Sequence, residues 1–366
     1  MSKFKVIQLL PELNIGGVER GTKDFSKVLV ERGHDSLVIS NGGVFEKDII
    51  EDGGKHINLP IHKKSLFSIR YASDLRDIYL SEKPDIVHVR SRMPAWINYF
   101  AYKKLSHKPL LVSTFHGLYS TPLYSQVMSK VDHIIAISKT VKDYIQGTYK
   151  VPDEKITIIP RGCDPEIFNK NPVEETWIKK WYEEFPQTQD KIILTMPTRI
   201  SKWKGVDSFI DLVNLLDDDN YHALIVGPTA KSKESYLKQL QNKISNYGIE
   251  DKITITGSRN DISNIYKISD FVFNLSIKPE PFGRTTIEAI SSGSKVIGWN
   301  HGGTKEILEE LYPDGLVELD NIEDLAEKVI NLSNMTNNMP KENIFTSESM
   351  TNQTISLYQE LLAKRL

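Results

Sequence analysis

Two hydrophobic periods alternate along the chain. Short unbroken apolar runs are each followed by a longer stretch in which apolar residues recur every three or four positions. Buried parallel strands joined by amphipathic helices give this pattern. The run at 4–10 (FKVIQLL) reads as a first strand, 18–32 as a helix that stops at Gly33, and 36–40 as the next strand, together a βαβ unit. Further strands are expected at 85–89, 110–115, 133–137 and 156–159, with helices at 95–105 and 139–146. The turn-rich Pro160-Arg-Gly-Cys-Asp-Pro165 then breaks the series. After a polar stretch containing Trp and Glu, a second series begins. Its strands fall at 191–196, 222–226, 252–256, 271–275 and 295–298, and its helices start near 206 and occupy 233–247, 262–268 and 284–291. Residues 335–343 are rich in Asn and predict a surface loop, and 348–364 predict a closing amphipathic helix.

This alternation predicts an α/β fold of two doubly wound, mostly parallel sheets. The expected domains are 1–165 and 166–345, with 346–366 crossing back to the first. Ligands of such sheets bind beyond the carboxyl ends of the strands, so the loops that follow strands are where chemistry is sought. Those loops carry Gly16-Gly17, then Arg90, Ser91 and Arg92, then His116-Gly117. In the second half they carry Arg199, Lys202 and Lys204-Gly205, then Gly257-Ser258-Arg259, then Lys278, Glu280, Phe282-Gly283 and Arg284. Two such edges facing each other would make a deep cleft. The run Asp217-Asp218-Asp219 precedes a strand and falls at the opposite edge, which favours a solvated helix end over a metal site.

Composition narrows the class. A length of 366 residues fits two domains, and 39% hydrophobic residues supply cores for both. The single cysteine, Cys163, excludes a disulfide scaffold and a Cys-rich metal centre and suggests a reducing compartment. With no activating His adjacent, it reads as a small turn residue rather than a nucleophile. No apolar run approaches the length of a membrane span, and the N-terminal run is too short for a signal peptide, so a cytoplasmic protein is expected. The net charge of −2 conceals an asymmetry: the chain carries +6 up to Asp164 and −8 from Pro165 onward. Seven of the nine histidines also lie in the first part, and Lys63-Lys64, Arg90 with Arg92, and Lys103-Lys104 with Lys108 form basic clusters. Such clusters fit either a solvated surface or an anionic partner. Nucleic acid is disfavoured, because no domain is strongly basic.

Three segments carry candidate chemistry. Gly16-Gly17 before a helix permits close approach of a phosphate, or simply a turn, and the sequence GGVERG is not a dinucleotide fingerprint. Arg199 and Lys204 flank one post-strand loop and could neutralise a diphosphate leaving group without a metal; the alternative is a solvated basic loop. Glu280-Pro-Phe-Gly-Arg-Thr-Thr-Ile-Glu288 is the most informative stretch. It places one glutamate in a loop, Gly283 at a helix start whose free amides can hold phosphate, and a second glutamate inside the helix. Carboxylates on either side of a phosphate could accept hydrogen bonds from sugar hydroxyls. Glu288 has apolar neighbours, Ile287, Ala289 and Ile290, and a buried glutamate needs a partner.

Taken together, Glu280 and Glu288 around Phe282-Gly283, Arg199 with Lys204-Gly205, the Gly16-Gly17 loop and Thr114-Phe-His116-Gly resemble family 4 of the retaining glycosyltransferases. The stretches around Arg90 to Trp96 and Ile159 to Asp164 are similar to members acting in bacterial envelope polysaccharide and lipopolysaccharide-core synthesis. The resemblance implies a GT-B fold, two Rossmann-like domains facing across a cleft. It implies that Arg199 and Lys204 bind the donor diphosphate, Glu288 the ribose hydroxyls and Glu280 the donor sugar. The amides of Gly283, Arg284 and Thr285 would support sugar and phosphate beside Phe282, with Arg259 framing the base and His116 reaching the sugar. Gly16 and Gly17 would approach the phosphate and acceptor. Arg161 and Pro281 depart from the family pattern.

The expected reaction is transfer from a UDP- or GDP-sugar with retention, through a front-face substitution, because no second carboxylate stands out as a nucleophile. Neither metal nor cofactor is expected. The acceptor, a glycan or lipid-linked molecule, would dock on the basic half, with Arg90 and Arg92 as its candidate contacts. Peripheral attachment to an anionic membrane at the inner face of the plasma membrane is the accompanying expectation. A nucleotide-sugar epimerase or hydrolase and a non-enzymatic sugar-binding protein stand as alternatives.

Overall fold

The computed structural model describes residues 3–335 and 337–365. Met1 and Ser2 at the chain start, Thr336 of the Asn-rich loop and Leu366 of the closing segment lie outside the described residues. The chain divides into two compact units, Met1–Pro160 with Met350–Leu366, and Arg161–Ser349.

The first unit is built on seven parallel strands: β1 (Lys5–Leu9), β2 (Asp35–Ser40), β3 (Lys55–Asn58), β4 (Ile86–Val89), β5 (Leu110–Phe115), β6 (His133–Ala136) and β7 (Ile156–Ile158). Their order is β3-β2-β1-β4-β5-β6-β7. β4 and β5 are buried throughout and β1 in all but Lys5, with polar Gln8, His88, Ser113 and Thr114 buried among mostly apolar residues. The helix Gly17–Glu31 lays Phe25 and Leu29 on the sheet, and the chain turns at Gly33, whose φ of +80° a side chain would resist. The last helix, Ser347–Ala363, enters the same core: Ile355, Leu357 and Tyr358 are buried with Phe4, Val6, Phe25 and Val112. Tyr358 also reaches a buried histidine of β4. Its hydroxyl is 2.5 Å from His88 Nδ1, and His88 Nε2 is 2.7 Å from Thr114 Oγ1.

The second unit repeats the plan with six parallel strands: β8 (Ile192–Pro197), β9 (Tyr221–Val226), β10 (Ile253–Gly257), β11 (Phe271–Asn274), β12 (Lys295–Trp299) and β13 (Leu316–Val317). Their order is β10-β9-β8-β11-β12-β13. In each sheet the first strand is internal, the next two extend to one side, and the chain then crosses back to extend the other. The order therefore reverses between β1 and β4, and again between β8 and β11, and ligands bind beyond the carboxyl ends at such points. The chain enters and leaves this unit side by side: Cys163 N–H donates to Phe345 O at 3.1 Å, and Ser347 N–H to Cys163 O at 3.0 Å. A side chain on Gly162 would run into the Thr346 backbone there, so close approach of the two segments requires glycine.

The sheets carry two strands the hydrophobic pattern does not show. β3 lies at a sheet edge with no buried residue, and β13 has only two residues. The polar stretch with Trp and Glu is the helix Glu175–Glu184, which buries Trp181 against Trp177, ring centroids 5.2 Å apart. Helices Gly302–Leu311 and Ile322–Ser333 also go beyond the expected elements. Among the described residues no helix is long and apolar enough to cross a membrane.

Candidate active site

In the second unit, β8 and β11 are neighbours at the point where the strand order reverses, and the loops after them carry the expected charged residues. The first loop turns through Lys202–Lys204 into Gly205, with φ +77°, where any side chain would meet the Leu275 carbonyl. Trp203 O accepts the Ile277 N–H at 2.9 Å, so the two loops are stitched together by backbone. This brings Lys204 onto Glu280. The ammonium donates to Glu280 Oε1, and Ser276 Oγ donates to the same oxygen at 2.7 Å. The two side chains are only 19% and 13% exposed, so solvent screens the pair weakly. Lys204 also stands 4.2 Å from the centroid of the Trp203 ring. Arg199 is exposed and makes no ion pair among the described residues.

Gly283, at φ +99°, turns the chain from the Glu280 loop into the helix Arg284–Ser291. The first N–H groups of that helix have no intrahelical acceptor and form an anion-binding end. Thr285 and Thr286 hydroxyls sit 3.5 and 3.3 Å from Asn274 Nδ2 at the end of β11, and Phe282 is buried with its ring edge-on to Phe345. Glu288 lies within the helix, 7% exposed, and accepts from Arg284 Nη2 at 2.7 Å. Burial and then the Glu288 carboxylate push the Tyr266 phenol far above its ordinary pKa, and a hydrogen bond to Glu288 acts in the same direction. Cys163, close by, is pushed up by burial and lies 3.1 Å from Ser291 Oγ, with Asn343 Nδ2 donating to it at 3.2 Å. It is a packed turn residue. The Asp217 and Asp219 carboxylates are exposed and pair with Lys252 at 3.3 and 3.1 Å.

Arg259 follows β10, and its guanidinium is fully engaged. It donates to both oxygens of Glu184 at 2.8 and 3.0 Å, and to Asp261 at 3.0 and 2.8 Å. Hydrogen bonding to Asp261 is the main reason its pKa rises.

In the first unit the expected residues occupy the carboxyl edge of the sheet. Gly16 caps the helix Gly17–Glu31, and the Glu19 carboxylate folds back over the place a Gly16 side chain would take. The helix start thus already faces a carboxylate. Arg90 follows β4 and donates through Nε to Gln8 Oε1 at 2.9 Å. Arg92 opens the helix Arg92–Lys103, donates to Thr121 Oγ1 at 3.1 Å, and lies 4.8 and 5.4 Å from the Tyr119 and Tyr124 ring centroids. His116 is the residue after β5, with its N–H 3.4 Å from the Tyr119 hydroxyl.

Three contributors carry no clear signal in the sequence. Ser276 bonds Glu280, Tyr266 bonds Glu288, and the loop after β12, Asn300-His-Gly-Gly-Thr304, supports the glutamate loop. His301 Nε2 donates to Ser276 O at 2.6 Å, and Gly303 N–H donates to Glu280 O at 2.8 Å. A side chain on Gly302, at φ +62°, would lie 2.7 Å from Glu280 N, and one on Gly303 would enter the Phe282 backbone. The strand-end rule that finds Glu280 finds this loop too, once applied to β12.

Two doubly wound parallel sheets, the second bearing a lysine–glutamate pair at its switch point beside an open helix end, fit the GT-B class of glycosyltransferases. Comparison with known proteins extends this to the family. Glycosyltransferase Family 4 matches residues 15–167 and Glycosyl transferases group 1 matches residues 178–347. The chain belongs to family 4 of the glycosyltransferases. It is similar to a glycosyltransferase of Rickettsia africae ESF-5 of known crystal structure, with 30% identity, 99% of each chain covered and a TM-score of 0.85. Among its relatives are the N-acetyl-alpha-D-glucosaminyl L-malate synthase of Bacillus anthracis, 24% identical over 95% of each chain, and an enzyme of Escherichia coli. The latter is the UDP-Gal:alpha-D-GlcNAc-diphosphoundecaprenol alpha-1,3-galactosyltransferase, 24% identical over 91% of this chain and 88% of its own.

Proposed function

We propose that this glycosyltransferase moves a sugar from a nucleoside diphosphate sugar, UDP- or GDP-linked, to an acceptor hydroxyl with retention of anomeric configuration and without a metal. The observation that carries this reading is the Lys204–Glu280 pair, held at the switch point of the second sheet next to the helix end at Gly283. Lys204 and Arg199 bind the diphosphate, and the amides of Gly283, Arg284 and Thr285 share that load. Preorganised cations and amides of this kind stabilise the charge that develops on a leaving phosphate. Glu280 accepts from the donor sugar hydroxyls, and Glu288, fixed by Arg284 and Tyr266, accepts from the ribose.

In the proposed step the bond between the anomeric carbon and the diphosphate oxygen breaks as the acceptor oxygen bonds to the same face of that carbon. The diphosphate leaves with the bonding pair and takes the acceptor hydroxyl proton. Arg90 and Arg92 lie on the acceptor side, and the acceptor is a glycan or lipid-linked molecule of envelope polysaccharide synthesis. The Escherichia coli relative, whose name specifies UDP-Gal and a diphosphoundecaprenol acceptor, supports both halves of this reading. Peripheral binding to the anionic inner face of the plasma membrane belongs to the same proposal, and retention by anionic liposomes at low salt tests it. The reaction itself is tested by NMR of the product formed in EDTA: the donor's anomeric configuration is expected, and an inverted product or a trapped glycosyl-enzyme overturns the mechanism.

A further inference from the structure

Arg90 stands on the β1–β4 seam, where the strand order of the first sheet reverses. Its amide donates to Leu9 O at 2.9 Å, its Nε to Gln8 Oε1 at 2.9 Å, and its guanidinium carbon lies 5.6 Å from the Phe25 ring centroid. Gln8 is itself fully buried and anchored, with Nε2 donating to Thr22 O at 3.3 Å. The guanidinium is therefore aimed rather than free to swing. One edge is used on Gln8, and the Nη1–Nη2 edge has no acceptor among the described residues. No carboxylate among them comes within 4.0 Å of it.

The sequence shows why no counter-ion is close in the chain. Residues 86–131 contain no Asp or Glu at all, yet include Arg90, Arg92, Lys103, Lys104, Lys108 and Lys130. Burial pushes the Arg90 pKa down to about 10, and the Tyr358 phenol opposes this in part. It remains a cation at neutral pH, half-buried and uncompensated, which costs stability unless something else supplies the negative charge.

We propose that the Nη1–Nη2 edge of Arg90 seats an anionic group of the sugar acceptor, a phosphate or a carboxylate. The planar edge matches two oxygens of either group, which a lysine would not. Arg92 does not serve in the same way, because Thr121, Ser125 and two tyrosine rings already occupy it. This inference rests on the assignment of the acceptor to the first unit.

The test uses the intact chain carrying Lys204→Ala, so that anions are not read at the Lys204 ammonium, with and without Arg90→Gln. Thermal melting is followed in inorganic phosphate and, separately, in succinate. One of the two is expected to raise the melting temperature of Lys204→Ala. The probe that does so identifies the oxyanion source, and its apparent affinity is expected to fall about tenfold or more on adding Arg90→Gln. Arg90→Lys in the same background keeps the charge and guards against a folding defect; it is expected to recover part of the response. No shift with either probe, or an equal shift with Arg90→Gln, overturns the proposal. UDP titrated into Arg90→Gln with Lys204 intact separates the two readings. Failure of UDP to bind the unsubstituted protein counts against the donor site and not against Arg90.

Discussion

Glu280→Gln removes one negative charge from a loop that the proposed mechanism fills with a dianionic diphosphate. In the structure that carboxylate neutralises Lys204 and accepts from Ser276 at 2.7 Å. Gln keeps the size and an acceptor for Ser276, so the loop, which is also pinned by Gly303 N–H on Glu280 O at 2.8 Å, is expected to stay in place. The ammonium is released from a charge-assisted bond. Because the pair is only 19% and 13% exposed, its worth exceeds that of a surface ion pair, and about 1–2 kcal/mol is a fair magnitude. UDP, which has phosphates but no sugar, should therefore bind about five- to thirty-fold more tightly. Transfer should move the other way, falling about 100- to 1000-fold, because the contact to the sugar is lost. Calorimetric titration with UDP and a transfer assay on the same preparation read both effects. If UDP binds the variant no better than the unsubstituted protein, Lys204 is not held in reserve by Glu280 and the diphosphate does not lie there.

Three further outcomes follow from the packing. Gly303→Ala places a methyl group in the Phe282 backbone, so about 1–3 kcal/mol of stability should be lost in urea denaturation, with transfer reduced through the displaced Glu280 loop. Tyr358→Phe deprives buried His88 Nδ1 of its partner; a loss of about 1–2 kcal/mol, seen as a Tm lower by about 2–4 °C, is expected, whereas an unchanged Tm would deny that this bond ties the last helix to β4. His222, buried with Nε2 2.8 Å from Thr254 Oγ1, has its pKa pushed down by burial to about 4. The unfolded chain takes up a proton that the folded one refuses, so this contribution is complete above about pH 6.5 and is lost as pH falls toward 4. It amounts to about 3 kcal/mol, and His222→Gln should flatten the stability profile over that window if the histidine is responsible.

Much of the architecture is visible in the sequence because buried parallel strands leave unbroken apolar runs. β3 is not visible, since Lys55-His-Ile-Asn lies at an edge with no buried face and carries no period. The helix Glu175–Glu184 reads as polar because only Trp181 is buried along it. That omission hides the partner of Arg259, for Glu184 comes from this helix, 75 residues earlier in the chain. Lys204 and Glu280 can be found as residues following strands. Their ion pair cannot, because it depends on β8 and β11 being neighbours, a property of the winding order. Tyr266 escapes notice for a similar reason, since its partner Glu288 lies 22 residues on, whereas Ser276 sits only four residues before Glu280 and is missed because a lone loop serine carries no signal of its own.

In the proposed function the second unit holds a nucleoside diphosphate between the Lys204 loop and Glu288. Calorimetric titration of UDP, GDP and ADP in the presence of EDTA, repeated on Glu288→Ala and Lys204→Ala, tests it most directly. One nucleotide is expected to bind selectively, and both substitutions are expected to weaken it. Binding of none of the three, or binding indifferent to both substitutions, would contradict it.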